Sequence, residues 1–344
     1  MAVYTELTDQ ELRKFVNHFA LGELVRAHGI AAGTINTIYD LTTTQGHYIL
    51  RILEGRTRAE AQFEERLIEH LIAKGLRVPR MMPGRRGGAI LSIGPRQQVS
   101  ILEFVEGREL AVFEVEASHA KQVGVFLGEL SQATKGFRGT KENRFSQDVL
   151  RDMLGQCIAG IKTGEQRADL EILSTELEMK ISFDGLPVGM THGDLFVDNA
   201  RFKQGELEAV IDFEMASTMP FIYDLSVAIG DWAFSQNVFH PERARALCMK
   251  KTACRKLLIR AGRLQKTTIF RSCWCWLSLL TAVIACSHYH SPIVKYGTVE
   301  RSDLAKCRQD DLCCRRTIRR WNPEARGFRL MYGQSVNGLE LGFA

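Results

Sequence analysis

From Thr8 onward, apolar Leu12, Phe15, Phe19 and Leu21 recur at helical spacing behind a Thr that stands three residues before Glu11. That order of residues predicts a capped N-terminal helix. At Gly29 the periodicity changes to GIAAGTINTIYDLTTTQGHYILRIL, two β-branched runs either side of Gln45-Gly46, which predicts an antiparallel hairpin with a tight turn. The stretch RTRAEAQFEERLIEHLIAKGL then places Phe63, Leu67, Ile68 and Leu71 on one helical face and ends on the stop signal Lys74-Gly75. Short strands are expected at Ala89–Ile93 and Gln98–Phe104, with Glu106-Gly107 as a linker behind them. A hairpin, one main helix and further antiparallel strands make a small α+β lobe.

Beyond the linker the helical period dominates, in Val115–Thr134, Gln147–Ile161 and Ala168–Ile181. Strand signals return at Pro187–Met190, Ala200–Phe202 and Leu207–Phe213, the last two joined by a turn at Gln204-Gly205. The longest apolar run, Ser272–Cys286, has 15 residues, short of the roughly 20 that cross a bilayer, and reads as a buried helix. No repeat or low-complexity tract is visible.

Composition is that of a globular protein, with 45% hydrophobic and 25% charged residues in 344. The net charge of +5 is unevenly placed: residues 248–344 hold 18 Lys and Arg against 6 Asp and Glu, so the first 247 residues are net acidic. The basic balance therefore belongs to the C-terminal part, and neither a nucleic-acid nor a membrane partner is inferred from it. Cys157 alone precedes position 248, and eight cysteines follow from Cys248 on. None of them forms a CxxC pair, which argues against a zinc site. The N-terminus, MAVYTELTDQELRKF, lacks the look of a signal or transit peptide, so a cytoplasmic location with reduced thiols is expected.

The chemistry is concentrated in Thr191-His192-Gly193-Asp194-Leu195-Phe196-Val197-Asp198-Asn199 and in Val210-Ile211-Asp212-Phe213. An Asp, an Asn five residues on, and a second Asp at the end of a β run is what phosphoryl transfer asks of a kinase. Magnesium is a hard ion that takes oxygen ligands, and Asn199 and Asp212 offer an amide carbonyl and a carboxylate. Asp194 is the candidate catalytic base, a carboxylate able to orient an acceptor hydroxyl and take its proton, and is expected to be ionised from the ordinary Asp value of about 3.9. Singly these are turn residues and strand ends; it is the combination that points to chemistry.

HGDLFVDNARF and AVIDFEMASTMPFIYDLSVAIGDW resemble the aminoglycoside-phosphotransferase/choline-kinase superfamily, and within it the homoserine kinases, over about residues 1–247. The resemblance implies an α+β, two-lobed protein-kinase-like fold: an antiparallel-sheet ATP-binding lobe at 1–103 and a larger, mostly helical catalytic lobe at 104–247. It makes Asp194 the base, Asn199 and Asp212 the Mg2+ ligands, and His192 and Asp224 supports of the catalytic loop; Asp224 also fits as a cap of the LSVAI helix. In the small lobe, Gly33, Thr34 and Asn36 lie in the phosphate-covering turn, which a plain β-turn also explains. Arg51 and Glu64 stand where a basic residue and its helical partner hold phosphates, with surface charges as the alternative. Glu103 and Val105 lie at the hinge whose backbone would bind adenine.

The implied activity is ATP- and Mg2+-dependent phosphorylation of homoserine, a step of threonine biosynthesis. Kinases of aminoglycosides, choline, hydroxylysine or methylthioribose share the machinery, and an impaired nucleotide-binding protein is the alternative of another class. Likeness to the family fades at about residue 248, where the Cys and Arg bias begins. A shifted coding frame is expected to account for residues 248–344, with a divergent but genuine C-terminus as the other reading.

Overall fold

The computed structural model describes residues 5–30, 36–144, 147–160, 186–235 and 238–248. The expected helix at Ala168–Ile181, the apolar run Ser272–Cys286, the phosphate-turn residues Gly33 and Thr34, and nearly all of the segment from 248 on lie outside them.

Helix α1 (Asp9–His18) starts on the predicted capping box: the Thr8 side chain accepts from the Glu11 N–H while the Glu11 carboxylate accepts from the Thr8 N–H. It covers one face of a five-stranded antiparallel sheet of order β1-β2-β3-β5-β4, made of β1 (Leu24–Ile30), β2 (Thr37–Thr43), β3 (Gly46–Glu54), β4 (Leu91–Gly94) and β5 (Gln97–Glu103). Strand β1 is a correction to the sequence reading, which began the sheet at the following hairpin. LVRAHGI lies at the sheet edge with most side chains exposed or half-buried, so it lacks the apolar alternation of a covered strand. The hairpin turns at Thr43–Gly46 as predicted.

The sheet's two faces differ. Tyr39, Leu41, Leu50, Ile52, Val99 and Ile101 pack with Leu12, Val16 and Phe19 of α1 into one core. The alternate residues face the other way, and register pairs Ile38 with Arg51, Asp40 with Ile49, Ile49 with Leu102 and Arg51 with Ser100 on that second face. Helix α2 (Arg58–Ala73) lies there, begun by a second capping box between Thr57 and Glu60 and ended at Lys74, with Gly75 at φ +80°. Its Ala61, Leu67, Ile68 and Leu71 join a larger core that continues among the described residues as far as Leu247.

Gly107 (φ +102°) lets the chain that leaves the sheet run against the next β unit, where a Cβ would meet the Phe202 carbonyl oxygen at 2.6 Å. Arg108 and Phe202 form a β-bridge. The larger lobe contains α3 (Ala117–Ala133), α4 (Gln147–Gly160), α5 (Ile222–Trp232) and α6 (Pro241–Leu247). Between α4 and α5 come β6 (Val188–Thr191), the hairpin β7 (Ala200–Lys203) and β8 (Glu206–Val210), and β9 (Ser217–Pro220). Strand β9 pairs with β6; its four residues, STMP, carry no β-branched run, and the sequence reading passed over it. Two paired antiparallel strands of two residues each, β10 (Phe234–Ser235) and β11 (Val238–Phe239), precede α6. Among the described residues no helix is long and apolar enough to cross a membrane.

Candidate active site

The strand β6 ends at Thr191, and the chain that follows is held by three side chains of the later helix α5. Asp224, in the first turn of α5, accepts from the backbone N–H of His192 and of Gly193, both at 2.8 Å. It caps the loop and not its own helix. Burial pushes the Asp224 carboxyl up to about 6, with the two backbone N–H groups opposing. Asp231 accepts from the Val197 N–H at 2.7 Å, and the Trp232 indole N–H donates to the Leu195 carbonyl at 3.1 Å. Gly193 sits at φ +85°, where a Cβ would stand 2.5 Å from the Met215 carbonyl oxygen. Only glycine fits that crossing.

His192 is fully buried against the Phe213 ring. Its Nδ1 faces the Asp194 N–H at 3.2 Å and must accept, so the ring proton lies on Nε2, which donates to the Ile211 carbonyl at 2.9 Å. Burial lowers its pKa to about 4, in keeping with a neutral ring that spaces the loop from the strand bearing Asp212.

Asp194 and Asn199 meet directly. The Asn199 amide donates to the Asp194 carbonyl at 2.7 Å and to its carboxylate at 3.1 Å. That fixes the flip of Asn199 and turns its Oδ1 away from Asp194. Asp212 follows the β8 strand in a left-handed conformation, φ 65° and ψ 72°, in which its Oδ1 takes the Glu214 N–H and the Arg51 guanidinium at 3.2 Å. Its Oδ2 is left for another partner, and 34% of the side chain is exposed, enough to reach a ligand. On the opposite wall Arg51 also donates to Glu64 at 2.8 Å; both are buried, so the surface-charge alternative does not apply.

The carboxylates crowd one another. Burial raises Asp194 well above the usual carboxylate range, and the charges of Asp212, Asp198 and Glu214 add to it. Asp212 is pushed up to about 7 by burial and by Glu214, against the pull of Arg51. The expectation that Asp194 is ionised as an ordinary Asp is thereby corrected: in the protein alone its charge is disfavoured, and a cation nearby is what would restore it. Asn199 Oδ1 and Asp212 Oδ2 are hard oxygen donors of the type Mg2+ takes. Among the described residues no three His, Cys, Asp or Glu converge into a protein-only cage. Mg2+ is commonly held by one or two protein groups plus phosphates and water, so the donor set fits it.

One candidate residue has both ends of its side chain taken up by protein. Asn36, expected near phosphates, is buried at 5% exposure, with its Nδ2 donating to Glu214 at 2.6 Å and its Oδ1 accepting from the Glu54 N–H at 3.3 Å. Both ends of its amide are engaged with protein. Glu103 and Val105 line a cavity of about 340 Å3 together with Arg77, Val78, Phe104, Glu106, Glu208 and Ala209. None of Asp194, Asn199 and Asp212 borders it. Within that hinge the Glu103 N–H donates to Arg80 and the Phe104 N–H to His47.

The phosphotransferase enzyme family (APH) matches residues 26–257. The chain belongs to it. Within the family it is 36% identical over 265 residues to a homoserine kinase of Methylobacterium radiotolerans, covering 75% of this chain and 80% of the relative. A homoserine kinase of Sinorhizobium medicae is 33% identical over 247 residues, 69% of this chain and 72% of that one. Among solved structures, a microcompartment-associated aminopropanol kinase superposes with TM-score 0.64 at 16% identity, covering 95% of this chain and 98% of the other. An amicoumacin kinase, solved in complex with AMP-PNP, Ca2+ and Ami, superposes with TM-score 0.62 at 18% identity, over 88% and 93%. The two-lobed, kinase-like α+β fold of this phosphotransferase follows, as the sequence implied.

Sequence reasoning missed Glu214, Arg56 and Lys141, which meet beside Asp212. The Lys141 ammonium donates to the Glu214 carbonyl at 2.7 Å, and Arg56 lies 3.8 Å from the Glu214 carboxylate. No spacing rule joins residues from such distant segments. The one legible signal was the Glu in IDFE.

Proposed function

We propose that this chain transfers the γ-phosphoryl group of ATP to the side-chain hydroxyl of L-homoserine, giving ADP and O-phospho-L-homoserine, with Mg2+ accompanying the nucleotide. The observation that carries the acceptor is the identity of 33–36% to homoserine kinases over 72–80% of their length. The site supports the reaction type. Asp194 is the group that orients the acceptor hydroxyl and takes its proton, and Asn199 holds that carboxylate through its amide. Asn199 Oδ1 and Asp212 Oδ2 are the protein oxygens that would hold Mg2+; once bound, the ion neutralises charge on the transferring phosphoryl group.

Arg51 is steered by Glu64 toward the phosphates, and the backbone of Glu103 and Val105 is proposed to take the adenine edge. We retain residues 1–103 as the ATP-binding lobe and 104–247 as the catalytic lobe. The acceptor and ATP are cytoplasmic metabolites, and we place the enzyme there. For the segment from 248 on we retain the shifted reading frame: sequencing the gene on both strands should reveal an insertion or deletion near codon 248, and clean sequence with an intact mass of 38.8 kDa contradicts it.

The test of the acceptor is ADP release with Mg2+-ATP and a panel of homoserine, choline, hydroxylysine, methylthioribose and an aminoglycoside. Homoserine should give the highest kcat/KM. Preference for another member keeps the chemistry and replaces the substrate, and ATP binding without turnover on any of them favours a nucleotide-binding protein instead.

A further inference from the structure

Glu214 is the meeting point of four segments drawn from both lobes. Its carboxylate takes the Asn36 amide at 2.6 Å, from a residue that directly precedes β2 and is itself pinned by the Glu54 N–H at the end of β3. Its backbone N–H turns back onto the Asp212 carboxylate, and its carbonyl takes Lys141 at 2.7 Å and Arg56 at 3.5 Å. Glu214 is only 5% exposed, and the Arg56 guanidinium 3.8 Å from the carboxylate balances its charge. A carboxylate so enclosed is engaged with protein, with a guanidinium as its counter-charge. Moving Glu214 moves Asp212, because only Phe213 separates them in one short turn.

We propose that Glu214 is a positioning residue for phosphoryl transfer: through Asn36 it ties the start of β2 and the end of β3 to the turn that carries Asp212, and so sets how the metal-holding carboxylate stands against the sheet. This rests on the reading of Asp212 as an Mg2+ ligand. No charge needs to pass to the ligand; the pair works as a spacer whose length is one hydrogen bond.

The test exchanges the two partners. Asn36→Asp sets two carboxylates against each other and should lower kcat about 10- to 100-fold and weaken Mg2+-ADP binding about 10-fold, while the acceptor KM stays within about 2-fold. Glu214→Gln alone keeps a hydrogen-bonding partner and should cost less than about 5-fold. Combining the two restores an amide-to-carboxylate bond with its direction reversed, and should bring kcat and Mg2+-ADP affinity back to within about 3-fold of wild type. Calorimetric ADP binding with Mg2+ and with EDTA needs no acceptor, so a wrong substrate assignment leaves this readout intact. Thermal unfolding of the metal-free variants separates loss of fold from loss of position.

If Asn36→Asp does not fold, Asn36→Ala replaces it, and adding Glu214→Gln should then cost less than about 2-fold more. Three results would overturn the proposal. One is Glu214→Gln alone removing the Mg2+-dependent gain in ADP affinity, which makes its carboxylate a cation ligand. The second is no rescue in the double variant, or additive losses with Asn36→Ala. The third is Asn36→Asp leaving kcat and ADP affinity unchanged.

Discussion

Asp194 owes its orientation to neighbours that never touch a substrate: the Asn199 amide on its carboxylate, and His192 on its N–H. Asp194→Asn keeps that geometry and removes the proton acceptor, so kcat should fall by on the order of 10²–10⁴ with nucleotide affinity little changed, as steady-state kinetics beside ADP calorimetry will show. His192 carries a pH prediction. Its pKa is about 4 in the folded protein against an ordinary 6.5, so the unfolded chain binds a proton that the folded one refuses. Its contribution to stability is fully present above about 6.5 and is lost as pH falls through about 4, amounting to about 3 kcal/mol. Urea unfolding from pH 7 to 4 should show that loss, flattened in His192→Asn; an identical slope in the variant contradicts the buried neutral ring. At this scale Asp194, Asn199 and Asp212 were legible because their spacing lies within short segments. The engagement of the Asn36 amide at both ends was not legible, since a sequence shows a polar residue beside a turn but not what its side chain meets.

The elements explain why so short a loop stays in place. Gly193 crosses the Met215 carbonyl in a left-handed conformation, and α5 supplies the Asp224 that holds its N–H. Gly193→Ala should cost at least about 1–2 kcal/mol in urea unfolding and remove most activity, because the Cβ meets backbone that cannot step aside. Helix α2 positions Glu64 by burying Leu67 and Leu71 beneath it, and Leu67→Ala should cost about 2–5 kcal/mol with Arg51 and Glu64 loosened together. Helices with a clear apolar stripe and a capping box were legible to within a few residues, as α1 and α2 show. Strands β1 and β9 were not, because one is an exposed edge and the other is four residues long without β-branched runs; tertiary pairing made both.

Across the molecule, the two lobes are joined by charge as well as by the chain. Arg51 reaches from the sheet to Asp212, and Asn36 reaches Glu214 178 residues away in sequence. The division into lobes was legible as a change from β to helical periodicity near Glu106-Gly107, but these crossings follow from packing alone. The acceptor was legible only through family likeness, since the machinery around Asp194 is shared by kinases of unlike substrates. The most direct measurement is the product itself: phosphorus NMR of wild type and Asp194→Asn incubated with Mg2+-ATP and L-homoserine. A phosphomonoester signal on homoserine appearing in step with ADP, and absent in Asp194→Asn, is the expected result. ADP formed without that ester, or the ester formed at an equal rate by Asp194→Asn, contradicts it.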